Sequence, residues 1–314
     1  MKAAIVSAAG ATPVYGYFAE PRPTEALARV TVTAAALSPI TRARAAGRHY
    51  SASAAFPFVP GIDGVGLADD GHRVYFALPE APHGALAEQT LVPVDRCVDL
   101  PDDLDDVTAA AIANPGLSSW AALTERAKLR PGETVLVNGA TGASGRLAVS
   151  IARHLGAGRV IATGRNAVAL ASVGADATIV LGGDAEALDR QFMDAFAEGV
   201  DVVLDYLWGT SAERLLIAAA KAGRDAVPLR FVEIGSASGD SIALPGAVLR
   251  ASAIELIGSG IGSIPLDRLM AATGALLRAA VPAGLTTAAR AVPLADVERA
   301  WTGPDDGRRL VFTP

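Results

Sequence analysis

Residues 135–145 read Val135-Leu136-Val137-Asn138-Gly139-Ala140-Thr141-Gly142-Ala143-Ser144-Gly145, and this stretch decides the fold. The short apolar run Thr134–Asn138 predicts a strand. The small residues after it predict a tight turn, and 143–155 carries the spacing of an amphipathic helix. Gly142 and Gly145 fill the later two glycine positions of a G-x-G-x-x-G pattern, and Ala140 stands in the first. Small residues let the backbone approach a pyrophosphate, and the helix start offers that anion free N–H groups and a positive dipole end. A glycine-rich turn alone also occurs in ordinary loops; the flanking strand and helix are what make this one a dinucleotide site. Its candidate residues are Gly139, Thr141, Gly142, Ala143, Ser144 and Gly145.

The next predicted strand, 159–163, bears on which dinucleotide is held. A carboxylate about 20 positions beyond the turn would bind the ribose hydroxyls of NAD. Here the strand runs into Gly164-Arg165-Asn166, with no acid. Nothing repels a 2′-phosphate, and Arg165 offers it a charge-assisted contact, so the expected cofactor is NADPH. The competing reading has Arg165 capping the turn in solvent. The missing acid also argues against an S-adenosylmethionine methyltransferase.

Further strands are expected at 177–181, 200–205, 230–234 and 254–257, with helical segments between. This alternation predicts a parallel sheet covered on both faces. Residues 1 to about 100 are punctuated by Gly and Pro and read as β-rich, with strands at 3–7 and 28–34. Two helices are expected at 102–111 and 118–127, the second ended by Arg130-Pro131-Gly132. The tail, 308–312, reads as a strand returning to the first domain.

Composition narrows the class. The chain has 314 residues, 51% hydrophobic and 19% charged, which is globular rather than disordered. No apolar run reaches the roughly 20 residues that cross a bilayer, so no membrane span is expected. Residues 1–9 read as a first strand and not as a signal peptide. The net charge is −6 and no basic stripe is visible, so nucleic acid is not an expected partner. Cys97 is the one cysteine, which excludes an internal disulfide and a Cys-rich zinc site, and the cytoplasm is the expected compartment.

Several ordered segments extend these readings: Pro60-Gly61-Ile62-Asp63-Gly64-Val65-Gly66, Gly84-Ala85-Leu86-Ala87-Glu88, Leu117-Ser118-Ser119-Trp120-Ala121-Ala122-Leu123, the 138–145 loop, Gly164-Arg165-Asn166 and Asp201-Val202-Val203-Leu204-Asp205. Their order and spacing resemble the medium-chain dehydrogenase/reductase superfamily, specifically its zinc-free quinone oxidoreductase branch. The resemblance covers nearly the whole chain. It implies an α/β fold: a GroES-like β-rich catalytic domain, 1–116 with 263–314, and an inserted Rossmann dinucleotide-binding domain, 117–262. It also implies a homodimer acting on a small molecule, and places Gly235 and Ser236 in the cofactor cleft.

Zinc enzymes of the superfamily put Cys, His and Cys on the catalytic metal, where this chain has Ser38, Ile62 and Asn114. Ile cannot ligate, and Ser and Asn are poor replacements for thiolates, so no metal is expected. Without a Lewis acid, the resemblance implies hydride transfer to an acceptor already electrophilic, a quinone or an α,β-unsaturated carbonyl. A zinc-free carbonyl or alcohol oxidoreductase and a low-turnover NADPH-binding sensor are the rival readings. In the resembled quinone oxidoreductases a pocket Tyr commonly follows the Gly of the segment that corresponds to 38–50; here Gly47-Arg48-His49-Tyr50 puts His49 in that place and Tyr50 one beyond. Both are candidate catalytic residues, with a lid-packing role for Tyr50 as the alternative. Ser118 matches a hydroxyl residue near the nicotinamide; a helix N-cap is its other reading.

Overall fold

The computed structural model describes residues 1–48, 55–304 and 306–314. The chain divides into two units: 1–114 with 270–282 and 286–314, and 115–269 with 283–285.

The first unit opens with β1 (Lys2–Ile5), antiparallel to β2 (Val14–Tyr17). The ten-residue β3 (Leu27–Ala36) buries Val30, Val32 and Ala34 at alternate positions, the period of a strand with one face on a core. Helix α1 (Pro39–Ala45) begins sharply: Ser38 Oγ accepts the Thr41 N–H at 3.1 Å, and Pro39 occupies the first turn. Strands β4 (Asp63–Ala68), β5 (Arg73–Ala77), β6 (Gln89–Pro93) and β7 (Cys97–Asp99) follow, all antiparallel to their neighbours.

Helix α2 (Asp106–Ala121) corrects the expectation of two helices. Pro115 lies inside it and removes only the N–H that would bond the Ala111 carbonyl. The fully buried run Ala109–Ala113 and the strong helix propensity of Ala outweigh that loss. A wide five-residue turn, Ala122–Arg126, continues the helix.

The second unit is an alternation of strands and helices: β8 (Thr134–Asn138), α3 (Ala143–His154), β9 (Arg159–Gly164), α4 (Ala167–Ala171), β10 (Ala177–Val180), α5 (Ala185–Glu198), β11 (Val202–Asp205), α6 (Gly209–Ala222), β12 (Leu229–Glu233), α7 (Gly246–Arg250) and β13 (Ile254–Gly258). Among the described residues these strands form one parallel sheet in the order β10-β9-β8-β11-β12-β13. Residues Leu147, Ala148, Ile151 and Ala152 give α3 one buried face. On one side of the sheet Leu136, Ile161, Phe192, Leu215 and Phe231, each at most 1% exposed, form the centre of a core. Each such side chain contributes about 1.5–3 kcal/mol by leaving water.

The chain closes with α8 (Leu266–Ala279), β14 (Ala289–Pro293), α9 (Val297–Thr302) and β15 (Arg309–Thr313). As expected for the tail, β15 returns to the first unit: Val311 pairs Ala36 and Phe312 pairs Ala35. The sheet there runs β14-β15-β3-β4-β5-β7, with β6 also on β3. Cys97 is half-buried, and burial with Asp95 nearby pushes its thiol up to about 11, an inert structural setting. Among the described residues no helix is long and apolar enough to cross a membrane.

Candidate functional site

In the second unit β8 and β11 are neighbours, and the chain leaves them toward opposite ends of the sheet. Ligands of such sheets bind outside the carboxyl ends of the strands at this reversal. The glycine-rich turn leaves β8 there, Gly164-Arg165-Asn166 leaves β9, Tyr206-Leu207-Trp208 leaves β11, and Gly235-Ser236 follows β12. The sequence-predicted cofactor residues outside α2 therefore share one edge.

Each glycine of the turn has a different task. Gly139 has φ +96°, a left-handed conformation, so the tight turn falls there and not at Ala140, which the pattern had put in the first glycine position. A Cβ on Gly145 would strike the Gly139 carbonyl and lie 2.7 Å from Ala140 Cα, so this residue lets α3 pack on the turn. Gly142 is the N-cap of α3, has an ordinary φ of −77°, and a Cβ there would meet nothing within 4 Å. No side chain caps this helix. The first-turn N–H groups of Ala143, Ser144 and Gly145 are thus left without a side-chain cap beside open space at Gly142, the cradle an anion requires. Thr141 packs its methyl group toward Gly164, where a Cβ would come to 2.7 Å.

At the end of β9, Arg165 is exposed and its guanidinium has no hydrogen bond or ion pair with the described residues. Asn166 is instead spent on the fold: its Oδ1 accepts the Ala169 N–H at 3.0 Å and caps α4. Sequence reading passed over Arg146. A cation in the first turn of a helix opposes the dipole, and that is the signal that could have flagged it. Its guanidinium donates to the Thr141 and Ala169 carbonyls at 3.3 and 3.4 Å and to Ser172 Oγ at 3.2 Å, joining the cofactor turn to the segment after Arg165.

A buried network beneath the edge was also missed. Thr163 Oγ1 donates to Asn138 Oδ1 at 2.6 Å and accepts the Gly139 N–H at 3.2 Å. Asn138 Nδ2 donates to Asp205 Oδ1 at 2.8 Å and to Ser211 Oγ at 3.0 Å. Asp205 Oδ1 accepts Leu207 N–H and Trp208 N–H as well, at 2.9 and 3.1 Å. Asp205 therefore ends its strand by holding a turn. Its Oδ2 is buried without a partner, and burial raises its pKa. Glu233, its register partner on β12, is raised by burial and by Asp205. Trp208, at φ +55°, packs against the core under α6.

Ser118 lies in the last turn of α2, far from the helix start, so the N-cap reading is wrong. Its hydroxyl donates to the Pro115 carbonyl at 2.7 Å and sits 3.4 Å from Tyr206 Oη. Burial of that phenol pushes it up to about 12, against hydrogen bonds with Ser118 and Ser119. Tyr206 therefore stays protonated at neutral pH.

In the first unit Ser38 is a buried helix cap, Ile62 is 4% exposed, and Asn114 is half-buried. Among the described residues no three His, Cys, Asp or Glu side chains are grouped as metal ligands. His154 is exposed beside the Trp120 ring, 5.8 Å between centroids. The candidate catalytic residues His49 and Tyr50 lie outside the described residues.

These features define a class: a dinucleotide-binding α/β unit carried in one chain with a β-rich unit that is closed by the C-terminal strand. No protein-family model matches the chain. A probable NADPH-dependent quinone reductase of Emericella nidulans is 32% identical, over 96% of this chain and 96% of that protein. The quinone oxidoreductase of Thermus thermophilus, whose structure is known with NADPH, is 27% identical, with full coverage of both chains and a TM-score of 0.81. A mycobacterial quinone oxidoreductase, 24% identical, has the same fold over both full chains at a TM-score of 0.84. The chain belongs to the quinone oxidoreductase-like branch of the medium-chain dehydrogenase/reductase superfamily, with a GroES-like β-rich domain and an inserted Rossmann domain.

Proposed function

We propose that the chain is an NADPH-dependent reductase that passes a hydride to a quinone or an α,β-unsaturated carbonyl without a metal. The observation that carries it is the uncapped, open start of α3 at Gly142, together with the unpaired guanidinium of Arg165 at the end of β9. The Emericella relative, named an NADPH-dependent quinone reductase, supports the cofactor and the acceptor class.

The residues present fit NADPH. The N–H groups of Ala143, Ser144 and Gly145 hold the pyrophosphate, and Arg165 meets the 2′-phosphate. When bound, NADPH supplies a hydride from C4 of its nicotinamide. Gly235 and Ser236 border the same edge. Ser118 and Tyr206 supply a hydroxyl pair, and the high pKa of Tyr206 keeps it a hydrogen-bond donor. Protonation of the reduced acceptor is assigned to Tyr50 or His49 or to water.

The test is NADPH oxidation with a panel of quinones and enones, by enzyme treated with a chelator. Turnover that persists under chelation is the expected result. NADPH binding without turnover across the panel favours the sensor reading, and activity restored only by zinc overturns the metal-free reading. We further assign the chain to the cytoplasm and to a homodimer formed through the free edge of β13, where Leu256 is 41% exposed. Light scattering that gives a monomer would refute the dimer.

A further inference from the structure

Helix α1 carries a cation that nothing among the described residues of the first unit explains. Arg44 is half-buried, and its guanidinium has no hydrogen bond or ion pair with the described residues. Burial with no compensating charge pulls its pKa below the usual arginine value. A desolvated charge is costly unless a partner meets it. The nearby carboxylates do not. Asp63, next to Ile62 in the chain, is fully buried; its Oδ2 accepts the Tyr75 hydroxyl at 3.1 Å, and the charge that acts on it is that of Arg309. Glu80 is exposed, and its carboxylate makes no hydrogen bond or ion pair among the described residues.

Arg44 lines a cavity of about 40 Å³, shared with Thr41, Gly61, Ile62, His83 and Gly84. One water needs roughly 10–15 Å³ by the same kind of measure, so the space takes a carboxylate with a water beside it. No acid is among the described residues of its walls. His83 sets one side of the pocket, its ring edge-on to Phe18 at 5.9 Å. Burial pulls its pKa down, with the Ala19 backbone working the other way, so the ring is neutral at pH 7 and adds a hydrogen bond, not a second charge. Phe58 and Ile62 make the remaining wall apolar. A fixed cation, a neutral donor and an apolar wall are the requirements of a small organic anion.

We propose that this cavity is a carboxylate subsite, with Arg44 as its specificity-determining residue, and that the reductase acts on enones or quinones bearing an anionic carboxyl group. Only the identification of the bound anion as a substrate rests on the reductase reading; the subsite itself does not.

The experiment uses the NADPH-bound protein and two matched pairs of probes. Binding is measured for 4-oxopentanoate and its methyl ester. Turnover is measured for (E)-4-oxopent-2-enoate and its methyl ester, where hydride goes to the alkene carbon β to the ketone, a proton goes to the α carbon, and NADP⁺ is left. The acid is expected to bind at least about tenfold more tightly than the ester, and to be reduced with a correspondingly higher kcat/KM, the size of one charge-assisted hydrogen bond. In Arg44→Met the acid-to-ester ratio should fall to about one, and Arg44→Lys should keep part of it. A ratio near one in the unmodified protein, or a ratio unchanged in Arg44→Met, overturns the subsite; the first of these needs no variant to fold. Arg44-dependent binding of the oxopentanoate with no oxidation of NADPH by either enone keeps the subsite and removes the reductase reading. Oxidation by both enones without preference does the reverse.

Discussion

Gly142→Val is expected to weaken NADPH binding by at least about a hundredfold while the fold survives. At 142 the backbone is extended, φ −77° and ψ 168°, a conformation valine adopts freely, and the new Cβ meets no protein atom within 4 Å. The cost to the fold is the poorer N-cap, about 1 kcal/mol, which lowers the melting temperature by roughly 2–4 °C. The ligand side is different, because the open space the side chain fills is where the pyrophosphate must lie. Loss of two charge-assisted bonds from first-turn N–H groups costs about 3–6 kcal/mol, roughly a 10²- to 10⁴-fold rise in Kd. Gly145→Ala is the control with the opposite balance. Its methyl group would lie 2.7 Å from Ala140 Cα and strike the Gly139 carbonyl, backbone that cannot swing aside. Overpacking of that kind costs about 1–3 kcal/mol or more, so this variant should lose stability and binding together. Fluorescence titration with NADPH, alongside a thermal melt, checks both. Gly142→Val protein that binds NADPH as the parent does would mean the anion is not held at the start of α3. Protein that melts much lower would mean the space at 142 is part of the fold.

Arg165→Glu should raise the Kd for NADPH by at least about tenfold and leave NADH nearly unchanged, since the side chain is exposed and unpaired; equal effects on both would refute its role. Asp63 should make stability depend on pH, because burial raises its carboxyl from 3.8 to about 6, so the folded state holds the proton more tightly than the unfolded chain. Its contribution therefore falls as pH rises from about 4 through about 6, by about 3 kcal/mol in all, and Asp63→Asn should gain on the parent by that order in urea unfolding between about pH 4 and about pH 7. A pH-independent difference would refute it. Arg230→Met should cost about 3 kcal/mol in urea unfolding, because Arg230 and Glu133, 13% and 16% exposed, pair at 2.7 Å and the carboxylate would lose its only cation, keeping just the Arg130 N–H at 2.8 Å. A loss under about 1 kcal/mol would show that water reaches that pair.

The Rossmann unit was legible because its signals are local. An apolar run, small residues and a helix with one apolar face follow one another within 134–155, and each constrains the next. The return of the tail as β15 was legible from its apolar character alone. Helix α2 was not. Asn114-Pro115 reads as a break because proline disfavours helix at the residue before it. In the structure that one lost hydrogen bond is outweighed by five consecutive residues with no exposure at all. The misplaced helix start is also what made Ser118 look like a cap.

The network under the site was illegible for another reason. Thr163 lies 25 residues from Asn138, and Asp205 lies 67 from it, so the three meet only once the sheet order puts β9, β8 and β11 side by side. Cofactor choice shows the same division. The absence of an acid after β9 could be read from the chain and pointed to NADPH. The role of Arg146 could not, because two of its three partners lie 23 and 26 residues away, on the far side of Arg165. Those partners are two carbonyls and a hydroxyl, so its charge is anchored without being neutralised. With Arg165 unpaired as well, this edge of the sheet holds two cations with no carboxylate bound to either among the described residues. Such an edge favours a dinucleotide with one more phosphate even before any single contact forms. Discrimination that arises this way should weaken as salt is added, whereas a preference resting only on the shape of the turn would not.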